Sequence, residues 1–378
     1  MHTQSNFRLL IVRLGAMGDI LHALPAVTAL RLAHPDWQIG WVVEPRWQPL
    51  LKAGNREDPG SAMPVRSSAR PVRDSAMPVV DRLHFAPSRE WKRHPLSAKT
   101  RHAIGALRDE LRAAEYSAVL DLQGAIRSAV ISRMSGCVRR IGEASPREWP
   151  AQWLFTERVA THSSHVIEQD LELASAVAGD ALLSVDAQLP APRLPVDPEA
   201  EAWCAAWLAA TFPGASRPIA LITPGAGWGA KRWPPERYAA VAEGLAQRGL
   251  QVVVNAGPGE EPLAAAIATG SAVPLTATLP QLIALTRRIA LCIGGDTGPL
   301  HLACALGRPV VGIYGPTDPS RNGPYGTRAR VLRSPDSRRD HSRRSAPDPG
   351  LLTIAPDDVL RAADELLGDE LPGEESTR

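Results

Sequence analysis

The chain has 378 residues, of which 44% are hydrophobic and 22% charged, with 42 basic and 40 acidic residues giving a formal net charge of +2. That composition excludes a disordered or fibrous protein, and the charge balance argues against a dedicated nucleic-acid binder. At roughly 100–200 residues per domain the length predicts two domains.

Phe7 to Arg13 reads as a short buried strand, followed by the glycine-punctuated turn LGAMGD and a helix from Ile20 to Ala33. Gln38 to Val43 is the next strand, so these residues form a βαβ unit and imply a parallel sheet. Residues 54–80 break the rhythm. The pentapeptide SAMPV occurs twice there, at Ser61–Val65 and Ser75–Val79, with little apolar content. This segment reads as a flexible surface insertion. Ser117–Leu122 is a strand, a helix starts near Ala125, and His165–Val177 is amphipathic and helical.

The proline-rich stretch 181–197 reads as a linker, which divides the chain into domains at 1–180 and 198–378. Beyond it the α/β alternation restarts. Pro218–Thr223, Gln251–Asn255, Ile289–Ile293 and Pro309–Tyr314 are predicted strands. Pro234–Arg248, Glu260–Ala268, Leu279–Arg288 and Pro299–Leu306 are predicted helices. Residues 334–350 are polar, charged and proline-bounded, and are expected to be disordered. A final helix spans 356–367. Two open α/β domains place the expected binding cleft between them, with ligands at the carboxyl ends of strands.

Four cysteines (Cys137, Cys204, Cys292, Cys304) lie far apart with no C-x-x-C spacing, so no disulfide framework or metal site is expected. Cys292 and Cys304 read as small buried hydrophobes. No apolar run approaches the ~20 residues of a membrane span, and no signal-peptide pattern opens the chain. A cytoplasmic protein is the expectation.

Four loops carry candidate chemistry. In Gly15-Ala16-Met17-Gly18-Asp19 the glycines allow close backbone approach, but the spacing matches neither the dinucleotide fingerprint nor a P-loop. Asp19 then has two readings, a helix cap or a general base for a hydroxyl nucleophile. His22 lies on the same helical face and reads either as a ligand contact or as a partly buried histidine. The second loop, Thr223 to Pro234, holds Gly225, Gly227 and Gly229 before Lys231, which is the one lysine in the second half of the chain. Its glycines, lysine and proline-opened helix suit a phosphate. The third, Gly294 to His301, again follows a strand and opens a helix, and Thr297 and His301 share a helical face. In the fourth, Gly257–Glu261, Glu260 stands where α/β nucleotide sites often hold a ribose. Two phosphate-suited loops and a carboxylate suggest a nucleoside diphosphate ligand, and a base in the first domain suits group transfer to a hydroxyl.

VRLGAMGDILHALPAV, the AKRWP loop and GGDTGPLHLACALGRPVVGIYGPTDP resemble the ADP-heptose:lipopolysaccharide heptosyltransferases, glycosyltransferase family 9. MGDILHALPA is closer to the heptosyltransferase I branch than to II. The resemblance implies an α/β GT-B fold, two Rossmann-like doubly wound domains facing a central cleft. It also implies inverting transfer of heptose from ADP-heptose to a Kdo hydroxyl of the lipopolysaccharide inner core, with no metal and no cofactor beyond the donor. Asp19 then matches the base and Lys231 the residue that neutralises the leaving ADP. Gly227, Glu260, Asp296, Thr297, Gly298 and His301 fall on the donor side. Gly18, His22, Arg89, Lys92, Arg93 and Arg127 fall on the acceptor side. Family members often carry Thr-Thr where this chain has Ala226 and Gly227, which leaves backbone N–H groups to meet phosphate there.

Residues 82–140 carry twelve basic against five acidic residues, a local net of +7, which reads either as an ordinary solvated face or as support for the acceptor side. Such a face complements the phosphates and carboxylates of Kdo-lipid A. It also suits peripheral attachment to the anionic inner face of the inner membrane. The rivals are another family 9 transferase with a different donor or acceptor, a GT-B epimerase, and a nucleotide-sugar-binding protein without catalysis.

Overall fold

The computed structural model describes residues 7–53, 79–179, 189–214, 217–270, 272–338 and 344–368. The SAMPV repeat apart from its last residue, Val79, and residues 181–188 of the expected linker lie outside them. The chain divides into two compact units, residues 1–15, 23–162 and 167–197 in the first and residues 16–22, 163–166 and 198–378 in the second.

The first unit is built on strands β1 (Arg8–Val12), β2 (Gln38–Val43), β3 (Arg82–Phe85), β4 (Ala118–Asp121), β5 (Arg140–Glu143) and β6 (Glu157–Val159). They form one parallel sheet in the order β3-β2-β1-β4-β5-β6. Helices α1 (Met17–Ala33), α2 (Ser88–Arg93), α3 (Ala98–Ala113), α4 (Ile126–Met134) and α5 (Val166–Ala178) join them. The central strands β1 and β4 are buried throughout apart from Arg8, as parallel strands covered on both faces must be. Every residue from Leu21 to Leu30 of α1 is buried. That is why its sequence, LHALPAVTAL, is apolar all round rather than striped.

The second unit repeats the plan. Its strands are β7 (Ile219–Thr223), β8 (Gln251–Asn255), β9 (Val273–Leu275), β10 (Leu291–Gly295), β11 (Val310–Tyr314) and β12 (Ala329–Arg333). They pair in parallel as β12-β11-β10-β7-β8-β9. Its helices are α6 (Pro198–Thr211), α7 (Pro235–Gln247), α8 (Glu261–Ile267), α9 (Leu279–Thr286), α10 (Gly298–Ala305), α11 (Pro319–Asn322) and α12 (Pro356–Gly368). Leu245, Val252, Val254, Ile293, Val311 and Val359 anchor its core.

Counted from its own first strand, each sheet therefore has the order 3-2-1-4-5-6. The strand order reverses between β1 and β4 in one and between β7 and β10 in the other. Doubly wound sheets open a crevice for ligands at such reversals.

Part of the 334–350 stretch is ordered, against the disorder expected from its polarity. Asp348 is buried, and its Oδ1 accepts hydrogen bonds from the Ser337 hydroxyl (2.9 Å) and the Gly350 N–H (3.1 Å). A single carboxylate with local donors fixes a segment that has almost no apolar side chains. All four cysteines are buried free thiols. No helix among the described residues is long and apolar enough to cross a membrane.

Candidate active site

The second unit brings its candidate residues together at the β7/β10 reversal. After β7 the chain runs through the glycine loop into a 3₁₀ turn, Gly229–Lys231. After β10, Asp296 and Thr297 lead into α10. The Lys231 Nζ donates to Asp296 Oδ2 at 2.5 Å and to the Asp296 carbonyl at 3.2 Å. The ammonium also lies 4.3 Å from the centre of the Trp228 ring, a cation–π contact. Asp296 Oδ1 meets His301 Nε2 at 2.9 Å, and His301 Nδ1 meets His22 Nε2 at 3.2 Å. Lysine, carboxylate and two imidazoles thus form one chain.

Burial pushes the Asp296 carboxyl upward, but the hydrogen bonds and charges of His301 and Lys231 outweigh it and hold it well below the usual carboxylate range. The carboxylate is therefore ionised, so His301 Nε2 carries a proton toward it. The proton in the His301–His22 contact then sits on one of the two facing nitrogens.

Glycines make this packing possible. A Cβ on Gly298 would stand 2.7 Å from the Met17 sulfur, and one on Gly18 would stand 2.9 Å from His301 Cδ2. The start of α1 and the start of α10 therefore interlock, each presenting a glycine to the other's side chain. His22, expected on the acceptor side, is buried beside His301. Gly18 likewise serves the approach of His301. The i,i+3 spacing of Asp19 and His22 predicts one helical face but says nothing of the partner that covers it.

Thr297 holds the position before α10 without capping it. Its hydroxyl is buried and has no partner among the described residues, so it remains available to a ligand oxygen. Glu260 precedes α8, and its Oε2 accepts the Gly257 N–H at 3.2 Å. The same oxygen lies 2.4 Å from where a Gly225 Cβ would be. Its carboxylate is thereby set across the ends of the paired strands β7 and β8. Gly227 is exposed, with no described residue near its Cβ direction.

The lysine loop is held from a distance. The Ala230 N–H donates to the Arg344 carbonyl at 3.0 Å, and the Asp348 N–H donates to the Ala230 carbonyl at 3.1 Å. Gly229 is packed so tightly on the Ser345 carbonyl that no side chain fits. Trp233 is buried and donates its indole N–H to the Ile354 carbonyl at 3.2 Å. No local sequence signal connects these segments to the loop.

Asp19 lies in the first turn of α1, where its Oδ2 accepts the Ala16 N–H at 2.9 Å. This is the reciprocal half of a capping box, so Asp19 caps the start of α1. The preceding turn is braced in the first unit by Gln123. That side chain accepts from the Leu14 N–H at 2.8 Å and donates to the Gly15 carbonyl at 3.1 Å. Gln123 follows Asp121 at the end of β4. The Asp121 carboxyl is pushed up to about 6 by burial, against the pull of Gly124, Gln123, Ser128 and Ser132, which all donate to it. Sequence reading missed both residues.

Arg89, Lys92 and Arg93 lie on α2, which buries no residue, and Arg127 is exposed near the start of α4. These four belong to the first unit. Among the described residues no group of three or more His, Cys, Asp or Glu is placed to hold a metal ion.

A model of glycosyltransferase family 9 (heptosyltransferase) matches residues 104–349. Lipopolysaccharide heptosyltransferase 1 of Escherichia coli K12 is 27% identical over 341 residues, 87% of this chain and 94% of that one. The protein of the same name from Pseudomonas aeruginosa is 27% identical over 334 residues, covering 84% and 81%. The structure of E. coli heptosyltransferase WaaC with ADP-2-deoxy-2-fluoro heptose aligns with a TM-score of 0.72 at 25% identity, over 95% of this chain and 99% of that one. The fold class shared with it is GT-B, each unit being Rossmann-like and doubly wound.

Proposed function

We propose that this chain, which belongs to glycosyltransferase family 9, transfers heptose from ADP-heptose to a Kdo hydroxyl of the lipopolysaccharide inner core with inversion and without a metal. The observation that carries the reading is the Lys231–Asp296–His301 network at the sheet reversal, set beside the uncommitted Thr297 hydroxyl. Relatives named lipopolysaccharide heptosyltransferase 1, and a relative's structure that holds an ADP-heptose analogue, point to the donor and the acceptor.

In this reaction the acceptor oxygen forms a bond to the anomeric carbon as the bond from that carbon to the diphosphate breaks. Asp19 takes the hydroxyl proton, and the departing ADP keeps the electron pair. Two of the three Lys231 ammonium protons face Asp296. The third is left for a phosphate oxygen. That proton, the Thr297 hydroxyl and the N-terminus of α10 together stabilise the developing charge. The fixed ammonium thus provides the positive charge that a divalent ion provides elsewhere. Glu260 meets the ribose hydroxyls. Arg89, Lys92, Arg93 and Arg127 contact the anionic acceptor and the inner face of the inner membrane, at up to ~1 kcal/mol per basic residue near the surface.

The test is ADP release from ADP-heptose with and without Kdo-lipid A. Release that depends on acceptor establishes donor and transfer together. Release from ADP-heptose without acceptor, or from UDP- or GDP-sugars instead, refutes the reading.

A further inference from the structure

A second cluster lies in the first unit, where β2 and β3 end. Arg46 follows β2 in a 3₁₀ turn, Pro45–Leu50, and its guanidinium carbon lies over the Trp47 ring, 4.3 Å from the centroid. The guanidinium makes no hydrogen bond or ion pair with any described residue. The Arg89 side chain, at the start of α2 after β3, makes none either. Among the described residues Glu44 acts on Arg46, and its Oε1 already accepts the Ser88 hydroxyl at 2.5 Å and the Arg89 N–H at 3.1 Å. Burial first, and then the like charge of Arg89, pulls the Arg46 guanidinium below its ordinary value, with Glu44 offsetting part.

The platform is itself fixed. The Trp47 indole edge would stand 2.5 Å from a Cβ on Gly15, whose φ of 144° favours glycine. Trp47 thus packs against the turn after β1, at the carboxyl ends of the strands where open α/β sheets take ligands.

From these contacts we infer that Arg46, stacked on Trp47 and set beside Arg89, is an oxyanion-binding site that takes the carboxylate or phosphate of a sugar acceptor. Two unpaired guanidinium forks held together repel each other, and an oxyanion relieves that repulsion. It does so through bidentate bonds that match the planar fork. Stacking has already removed much of the conformational freedom of Arg46, so a ligand loses little entropy in ordering it. The inference deepens the acceptor side of the proposed function and rests on that reading for the nature of the sugar. The binding site itself does not depend on heptose transfer.

The test titrates three probes, free 3-deoxy-octulosonic acid, glucosamine 4-phosphate and inorganic phosphate, into the full chain by calorimetry. The variants are Arg46→Met, which keeps stacking but removes every donor, Arg46→Lys, which keeps charge but loses the fork, and Trp47→Leu, which removes the platform. Arg46→Met is expected to weaken binding of the preferred probe at least tenfold, and the other two severalfold, while ADP affinity and circular dichroism stay unchanged. Preference for the sugar acid over both phosphates identifies a carboxylate, and the reverse identifies a phosphate. No binding by the wild-type chain, or equal binding by Arg46→Met, overturns the site. Undiminished binding of the sugar acid by a chain that transfers no heptose would sink the transferase reading and leave the site standing.

Discussion

Replacing Asp296 by Asn tests whether the ionised carboxylate holds the lysine loop. The Lys231 and Asp296 side chains are 11% and 10% exposed, so removing the negative charge leaves a buried ammonium without compensation. Breaking such a pair costs about 3–5 kcal/mol. The lower end applies here, because Asn keeps an acceptor oxygen for Lys231 and His301 can change tautomer to suit the amide. A loss of about 3 kcal/mol corresponds to a fall of roughly 6–12 °C in the melting of a unit of this size. The pH dependence has a definite sign. Asp296 is held below its unfolded value of about 3.9, so its contribution is complete above that value and drains away as pH falls toward the folded one. By pH 3 about 1 kcal/mol of the wild-type advantage is lost. Urea unfolding of both proteins at pH 7, 5 and 3 measures this. A difference under about 1 kcal/mol at pH 7, or one that stays constant down to pH 3, would refute the reasoning.

Asp19→Asn retains an oxygen for the Ala16 N–H, and turnover should fall at least a hundredfold while ADP affinity stays level; equal loss of both rejects the base role. Lys231→Ala should weaken ADP binding about tenfold or more in calorimetry, and unchanged affinity rejects its contact with phosphate. Asp348→Ala leaves the buried Gly350 N–H and Ser337 hydroxyl without their acceptor and should cost about 1–3 kcal/mol in urea unfolding. It should also weaken ADP binding through the lysine loop, and a stable variant with normal ADP affinity would refute that coupling.

The buried framework was legible because its signals are local. Gln38–Val43 and Gln251–Asn255 match the predicted strands residue for residue, and the other predicted strands and helices fall within a few residues of those observed. The short strands β3, β5, β6, β9 and β12 were not read. They carry arginine, glutamate or proline, and several are only three or four residues long. Helix α3 was missed because only Thr100, Leu107 and Leu111 of its residues are buried, too few for a clear stripe.

The glycine loops were found as loops, since strand ends and glycines are visible in a line of text. Their partnerships were not. Nothing near Gly18 announces His301, nothing near Gly225 announces Glu260, and the Gln123 brace on Gly15 joins positions more than a hundred residues apart. Arg46 escaped notice because its setting is defined by Trp47 and Arg89 together, and only the first is its neighbour in sequence.

The strap on Ala230 has a consequence for the order of assembly. The last strand of the second sheet ends at Arg333, while the backbone partners of the lysine loop come from Arg344 and Asp348. A nascent chain that has just delivered β12 already contains every strand of both sheets, yet its cation loop still lacks both of those bonds. Contacts of such long sequence separation form late. On the proposed function, the loop that meets the diphosphate therefore gains its backbone support after the scaffold that displays it.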